Sequence, residues 1–185
     1  VLTNHHCARS CVAQLSTSGK DFIKDGFYAK GEKNEIKCPE IELNRLDAIT
    51  HVTERVKRAT EGKNGEEYSK AERTVKSDIE KECVSSDKET TRCDVVDLYH
   101  GGVYDLYKYH RYQDVRLVFV PEDAIADFGG DPDNFNFPRY ALDMAALRAY
   151  EDDKPARVAD YFPFSRDGAK ENEMTVRSEE RRVGK

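Results

Sequence analysis

Phe128-Gly129-Gly130-Asp131-Pro132-Asp133-Asn134-Phe135-Asn136-Phe137-Pro138-Arg139 is the stretch on which the reading of the fold turns. Its first half, two glycines and a proline among aspartates, predicts a long turn. The chain on either side predicts β-structure. Upstream, Val95-Val96, Leu98-Tyr99, Tyr104 to Tyr112 and then Val115, Leu117 and Phe119 are dense in β-branched and aromatic residues. Arg116 alternates with Val115 and Leu117, as a half-exposed strand requires. Gly101-Gly102 predicts a hairpin turn. Downstream, Ala141 to Tyr150 predicts a further strand or a short helix, with Asp143 near its start.

Further out the period changes. Leu43, Leu46, Ile49, Val52 and Val56 recur at intervals of three and four, one face of an amphipathic helix. Glu61-Gly62-Lys63-Asn64-Gly65 breaks it. Tyr68, Ala71, Val75 and Ile79 form a second stripe, with Glu and Lys on the other face. A helical hairpin inserted between strands is the expectation. Neither stripe lasts the three heptads of a coiled coil. Phe22 to Ala29 predicts a loop around Gly26, and Ala8 to Leu15 a helical turn. Val1 to Cys7 predicts a short buried strand that ends in a polar elbow.

Composition limits what such a chain can do. The 185 residues are 36% charged and 38% apolar, with a mean hydropathy of −0.81. No run approaches the roughly 20 apolar residues of a membrane-spanning helix. Ten Tyr and eight Phe exclude a solvated tail, and a net charge of −6 argues against nucleic acid as a partner. Five cysteines, Cys7, Cys11, Cys38, Cys83 and Cys93, are an odd count. They fit an exported protein with one or two bridges, Cys83 and Cys93 closing a short one, and fit a reducing compartment almost as well. The chain opens without Met and closes on Arg177 to Lys185, a string that resembles the translation of a sequencing adapter. A fragment truncated at both ends, with its native sequence stopping near Val176, is the expectation.

Leu2-Thr3-Asn4-His5-His6-Cys7 carries the first candidate chemistry. An apolar strand delivering a histidine to its rigid end is what a general base needs: ring in a cleft, second nitrogen free for an orienting carboxylate. The stretch resembles the strand-end histidine of chymotrypsin-fold serine peptidases, commonly Thr-Ala-Ala-His-Cys. Aligned on Cys7, His6 takes the catalytic place and His5 is a packed or solvent-facing neighbour. A zinc site is disfavoured, because neighbouring side chains on a strand point to opposite faces and no spaced ligand pair completes the set. Asp143-Met144-Ala145-Ala146-Leu147 resembles the Asp-Ile-Ala-Leu-Leu segment that the triad aspartate opens in those folds. By itself that aspartate reads more readily as a cap on an apolar segment.

The 128–139 stretch resembles the Gly-Gly-Asp-x-Asp-Asn-Trp-x-Trp-Pro-Arg-His string of the bacterial dipeptidyl-peptidase 7 and dipeptidyl-peptidase 11 family of serine peptidases. There it runs into Thr-Gly-Asp-Phe-Ser, whose Asp is the triad acid; the matching residue is Asp143. Asp25 to Lys30, Asp47 to Val56 and Tyr112 to Phe119 agree with the family as well. Most of residues 1–176 are covered, with 62–92 matched least. The departures are Phe135 and Phe137 for the two Trp, Tyr140 for the His, Ala141-Leu142 for Thr-Gly and Met144-Ala145 for Phe-Ser.

The resemblance implies a mostly β, chymotrypsin-like double β-barrel with a helical insertion, truncated at both ends. Residues 1–39 would belong to the first barrel with the catalytic His, and 40–92 to the helical insertion. Residues 93–176 would hold the remaining first-barrel strands and the start of the second barrel with the catalytic Asp, and 177–185 a non-native tail. It implies a serine dipeptidyl-peptidase that releases dipeptides from peptides with a free N-terminus. His6 would be the general base and Asp143 its orienter. Asn134 would hold the substrate ammonium through a charge-assisted bond, with Phe135 as an apolar wall that lacks the indole N–H. No metal or organic cofactor is implied. No Gly-x-Ser-Gly string occurs, so the nucleophile is expected downstream and the fragment is expected to be inactive alone. The implied location is the periplasm or cell surface, and a homodimer of the full-length protein is compatible with the resemblance. A non-catalytic peptide-binding pseudoenzyme and a chymotrypsin-fold serine endopeptidase remain the alternatives.

Overall fold

The computed structural model describes residues 1–84, 87–127 and 141–174. In chain order the elements are β1 (Leu2–Thr3), α1 (His5–Leu15), α2 (Phe22–Asp25), β2 (Phe27–Tyr28), β3 (Ile36–Lys37) and β4 (Leu43–His51). Then come α3 (Thr53–Thr60), α4 (Gly65–Val84), β5 (Thr91–Leu98), β6 (Val103–Tyr112), β7 (Asp114–Val120), α5 (Asp123–Ala126), β8 (Ala145–Glu151) and β9 (Lys154–Pro155).

The strands form two antiparallel sheets. The larger has the order β1-β8-β7-β2, with β3 also on β7 and β9 on β8; the smaller has the order β4-β6-β5. Only Gln113 separates β6 from β7, so one nearly continuous run of chain passes from one sheet into the other. Among the described residues neither sheet closes into a barrel.

The strand pattern expected from Val95 to Phe119 is present, and the reason is visible in burial. On β7, Val115 and Leu117 are fully buried and Arg116 between them is not. A register shift between Leu117 and Phe119 then changes the phase, so Val120 turns inward instead of Phe119. These side chains join Ala145 and Leu147 of β8 and Ala8, Cys11 and Val12 of α1 in one core. The Cys11–Cys38 disulfide runs through that core and ties α1 to the chain just before β4. The second core sits under the smaller sheet, where Val56 of α3 and Ile79 of α4 pack on Tyr104 of β6. Cys83–Cys93 joins the end of α4 to β5, as its spacing suggested.

Three sequence expectations need correction. The helix expected over Leu43 to Val56 is a strand as far as His51. There β4 pairs with the tyrosine-rich β6, Leu46 opposite Tyr109 and Ile49 opposite Tyr107, across a bulge after Leu46. Leu46 and Ile49 are 45% and 49% exposed, so the three-and-four spacing marks no buried stripe; cross-strand aromatic pairing overrides it. The helical hairpin is real, but its first arm is only α3. Second, Val1 to Cys7 is not a buried strand: β1 stops at Thr3, Val1 and Leu2 are mostly exposed, and α1 already begins at His5. Third, the Phe22 to Ala29 loop holds a helical turn, α2, before β2.

Candidate active site

The site forms where the two ends of the larger sheet's chain meet. β1 pairs antiparallel with β8, Leu2 opposite Ala146 and Thr3 opposite Ala145. Val1 N donates to Leu147 O at 2.7 Å and Leu147 N returns a bond to Val1 O at 2.9 Å. Following that register toward α1 brings Asp143, two residues before β8, level with the corner where β1 turns into α1. Residues 137 positions apart are thereby set in contact.

His6 Nδ1 lies 2.7 Å from Asp143 Oδ2. The His6 backbone N–H, near the start of α1, donates to Asp143 Oδ1 at 3.1 Å. Asn4, to which the sequence reading gives no role, donates from Nδ2 to Asp143 Oδ2 at 3.1 Å and to its main-chain O at 3.2 Å. The Asp143 side chain is only 7% exposed and that of His6 is 39% exposed. Burial alone would push the Asp143 pKa up. The His6 backbone N–H, the His6 ring and the Asn4 amide outweigh it and hold the carboxyl below its ordinary value. An ionised Asp143 accepts, so Nδ1 carries the ring proton and Nε2 is left as the basic nitrogen. No described residue engages Nε2 by a hydrogen bond.

His5 plays the packed neighbour. It is 2% exposed; its Nδ1 is 4.0 Å from Asp123 Oδ1, and neither its Nε2 nor that oxygen has a hydrogen-bond partner. Burial lowers its pKa against the pull of Asp123, so the ring is neutral at neutral pH. Arg9, one turn on, spans Asp123 at 3.3 Å and Asp127 at 3.4 Å and fixes α5 against α1.

The adjacent His5, His6 and Cys7 are helical, not extended, so the expectation that they splay to opposite strand faces had the wrong backbone. They still diverge: His5 is buried while His6 and Cys7 are exposed, and Cys11 is spent in a disulfide. Asn134 and Phe135, the expected substrate contacts, lie outside the described residues, as does the whole of the 128–139 stretch. A shallow groove of about 330 Å³, lined in part by Phe27, Phe119, Ile125 and Leu142, reaches the residue preceding Asp143. Sequence reasoning missed Asn4, because the stretch around it reads as a strand and the carboxylate it meets lies 139 positions away.

Two other histidines meet carboxylates, His51 with Asp105 and His110 with Glu151, each at 2.6 Å. What sets His6 apart is a buried carboxylate that accepts two further donations, one from the His6 main chain and one from the Asn4 side chain.

The family described as Peptidase S46 matches residues 1–178. Dipeptidyl-peptidase 7 of Porphyromonas endodontalis is 30% identical over 95% of the chain, which covers 23% of that relative. The Asp/Glu-specific dipeptidyl-peptidase of Shewanella putrefaciens is 33% identical over 89% of the chain, 22% of its own length. Among solved structures, Porphyromonas endodontalis DPP11 in complex with the dipeptide Arg-Glu superposes with a TM-score of 0.69 at 30% identity. That likeness covers 82% of this chain and 23% of the other. The chain thus spans about a quarter of the length of the relatives it matches.

Proposed function

The chain belongs to the Peptidase S46 family, and from that premise we propose that it is the His- and Asp-bearing part of a serine dipeptidyl-peptidase. The observation that carries this reading is the 2.7 Å contact between His6 Nδ1 and Asp143 Oδ2, with Nε2 left basic.

His6 takes the proton of a serine hydroxyl as that oxygen attacks the scissile carbonyl, then returns it to the leaving amine. Asp143 keeps Nδ1 protonated throughout and stabilises the transient imidazolium. The serine belongs to the portion of the protein outside these 185 residues, which also completes the two β-barrels around the sheets described above. Asn134 receives the substrate's N-terminal ammonium and Phe135 walls the subsite, which limits cleavage to dipeptides from free N-termini. Two disulfides support a location outside the cytoplasm, in the periplasm or at the cell surface.

The test is an assay of the full-length protein on dipeptidyl chromogenic amides with free and with acetylated N-termini. Release of chromophore from the free amines alone, abolished by His6→Ala, is the expected result. Equal cleavage of the acetylated substrates, or a His6→Ala enzyme at full rate, rejects the reading.

A further inference from the structure

We infer that Asn4 is a positioning residue that holds the Asp143 carboxylate against the His6 ring; this rests on the roles proposed above for His6 and Asp143.

An Asn at the N-cap of an eleven-residue helix ordinarily turns its side-chain oxygen onto the N–H of the second or third helical residue. Asn4 has the extended backbone of an N-cap, φ −77° and ψ 151°, but its side chain makes no capping bond. The N–H it would serve, that of His6, goes to Asp143 Oδ1 at 3.1 Å. The two side chains have exchanged duties. Asp143 caps α1 at His6 from 137 positions away in sequence, and the amide so released donates to Asp143.

The direction of that donation matters. The Asn4 amide reaches Oδ2, the same oxygen that meets His6 Nδ1, and also the Asp143 main-chain O. It therefore ties the carboxylate to its own backbone and opposes rotation that would carry Oδ2 away from the ring. Without it, Oδ2 has only the half-exposed ring as a partner. The acceptor capacity of Oδ2 is filled by two donors, one from each side of the β1–α1 corner.

A helix cap and a carboxylate clamp respond differently to substitution. Ser and Asp cap as well as Asn does. Ser is a bond shorter and loses the reach to Oδ2, whereas Asp cannot donate at all and sets a like charge beside Asp143. In the full-length protein, Asn4→Ser is expected to keep its Tm while kcat falls roughly 10- to 100-fold with KM little changed. Asn4→Asp is expected to lose at least as much and to move the acidic limb of the kcat/KM profile to higher pH. Wild-type rate and pH profile in both variants, or rates that fall only in step with Tm, overturn the inference and leave Asn4 a cap.

The wild type and His6→Ala are run beside them. A wild type that releases no dipeptide defeats the proposed function instead. The clamp is then decided by the 13C titration of the Asp143 carboxyl, whose midpoint rises in Asn4→Ser if the amide holds it and stays in place if it does not.

Discussion

Asp143 binds His6 twice, its Oδ1 to the main-chain N–H at 3.1 Å and its Oδ2 to ring Nδ1 at 2.7 Å. The first bond fixes the carboxylate to the helix; the second fixes the ring to the carboxylate. The imidazole is thus referenced to its own backbone through a residue 137 positions away. Such closure leaves the exposed edge of the ring aimed without requiring that it be buried. It also places a negative charge at the start of α1, where the unpaired N–H groups favour one.

On the roles proposed for His6 and Asp143, Asp143→Asn is expected to keep the shape and remove the activity. The amide that replaces Oδ2 either offers N–H to a ring nitrogen that already carries hydrogen, or forces the proton to Nε2 and removes the base. In the full-length enzyme kcat is expected to fall by roughly 10⁴-fold, the loss typical of a triad left with the wrong tautomer. Steady-state kinetics check this, and a fall below about tenfold contradicts the role assigned to the pair.

Acid stability reports on the same carboxyl. The Asp143 pKa is depressed in the folded chain, so its contribution is complete above the unfolded value near pH 4 and is lost as pH falls through the lower folded value. The Tm gap between wild type and Asp143→Asn is therefore expected to shrink on going from about pH 5 to about pH 2. A gap constant over that range means the native state does not prefer the ionised form.

His5 titrates in another window. Its folded pKa is lowered by burial, so below about pH 6.5 the unfolded chain takes up a proton that the folded one resists. Stability then declines as pH falls from 6.5 toward the folded value. His5→Gln, which cannot charge, is expected to flatten the Tm profile between about pH 6.5 and pH 5. An unchanged slope in that variant assigns the decline to other groups.

How much of this was legible in the sequence follows from which forces are local. β5, β6 and β7 could be read, because a strand half buried on one face must alternate, and Val115-Arg116-Leu117 does. α4 could be read because Tyr68, Ala71, Val75 and Ile79 lie along one side of a helix. β4 could not, because it is almost wholly exposed and its partner strand, not its own pattern, makes it extended. His6 and Asp143 were found through motifs, yet the start of α1 at His5 was not, since the group that accepts the His6 N–H is remote in sequence. Asn4 was invisible for the same reason: its side-chain partner lies 139 positions away.

The disulfides are expected to differ in weight. Cys11–Cys38 closes a separation of 27 residues and Cys83–Cys93 one of 10. On loop-closure entropy the first contributes about 3–4 kcal/mol and the second about 3 kcal/mol. The larger consequence lies in location, because Cys11 anchors the helix that carries His6. Replacing both residues of Cys11–Cys38 by Ala is expected to lower both Tm and kcat, and the same change at Cys83–Cys93 to lower Tm alone. Calorimetry with parallel kinetics on the two variants separates them, and an equal loss of kcat in both contradicts the anchoring role.

Gly26 is expected to be the least replaceable glycine among those described. It ends α2 with φ +68°, and a Cβ there would stand 2.9 Å from Val120 O and 3.0 Å from Glu122 N, both backbone atoms that cannot swing aside. Gly26→Ala therefore combines left-handed strain with a clash against the end of β7, at a cost of about 1–3 kcal/mol. Gly31 is the control: its φ of 176° suits any residue and its Cβ would meet nothing within 4 Å. Gly31→Ala should leave the urea midpoint unchanged or raise it slightly, since it stiffens only the unfolded chain. Equal urea midpoints for the two variants would show that the end of β7 yields to the added methyl group.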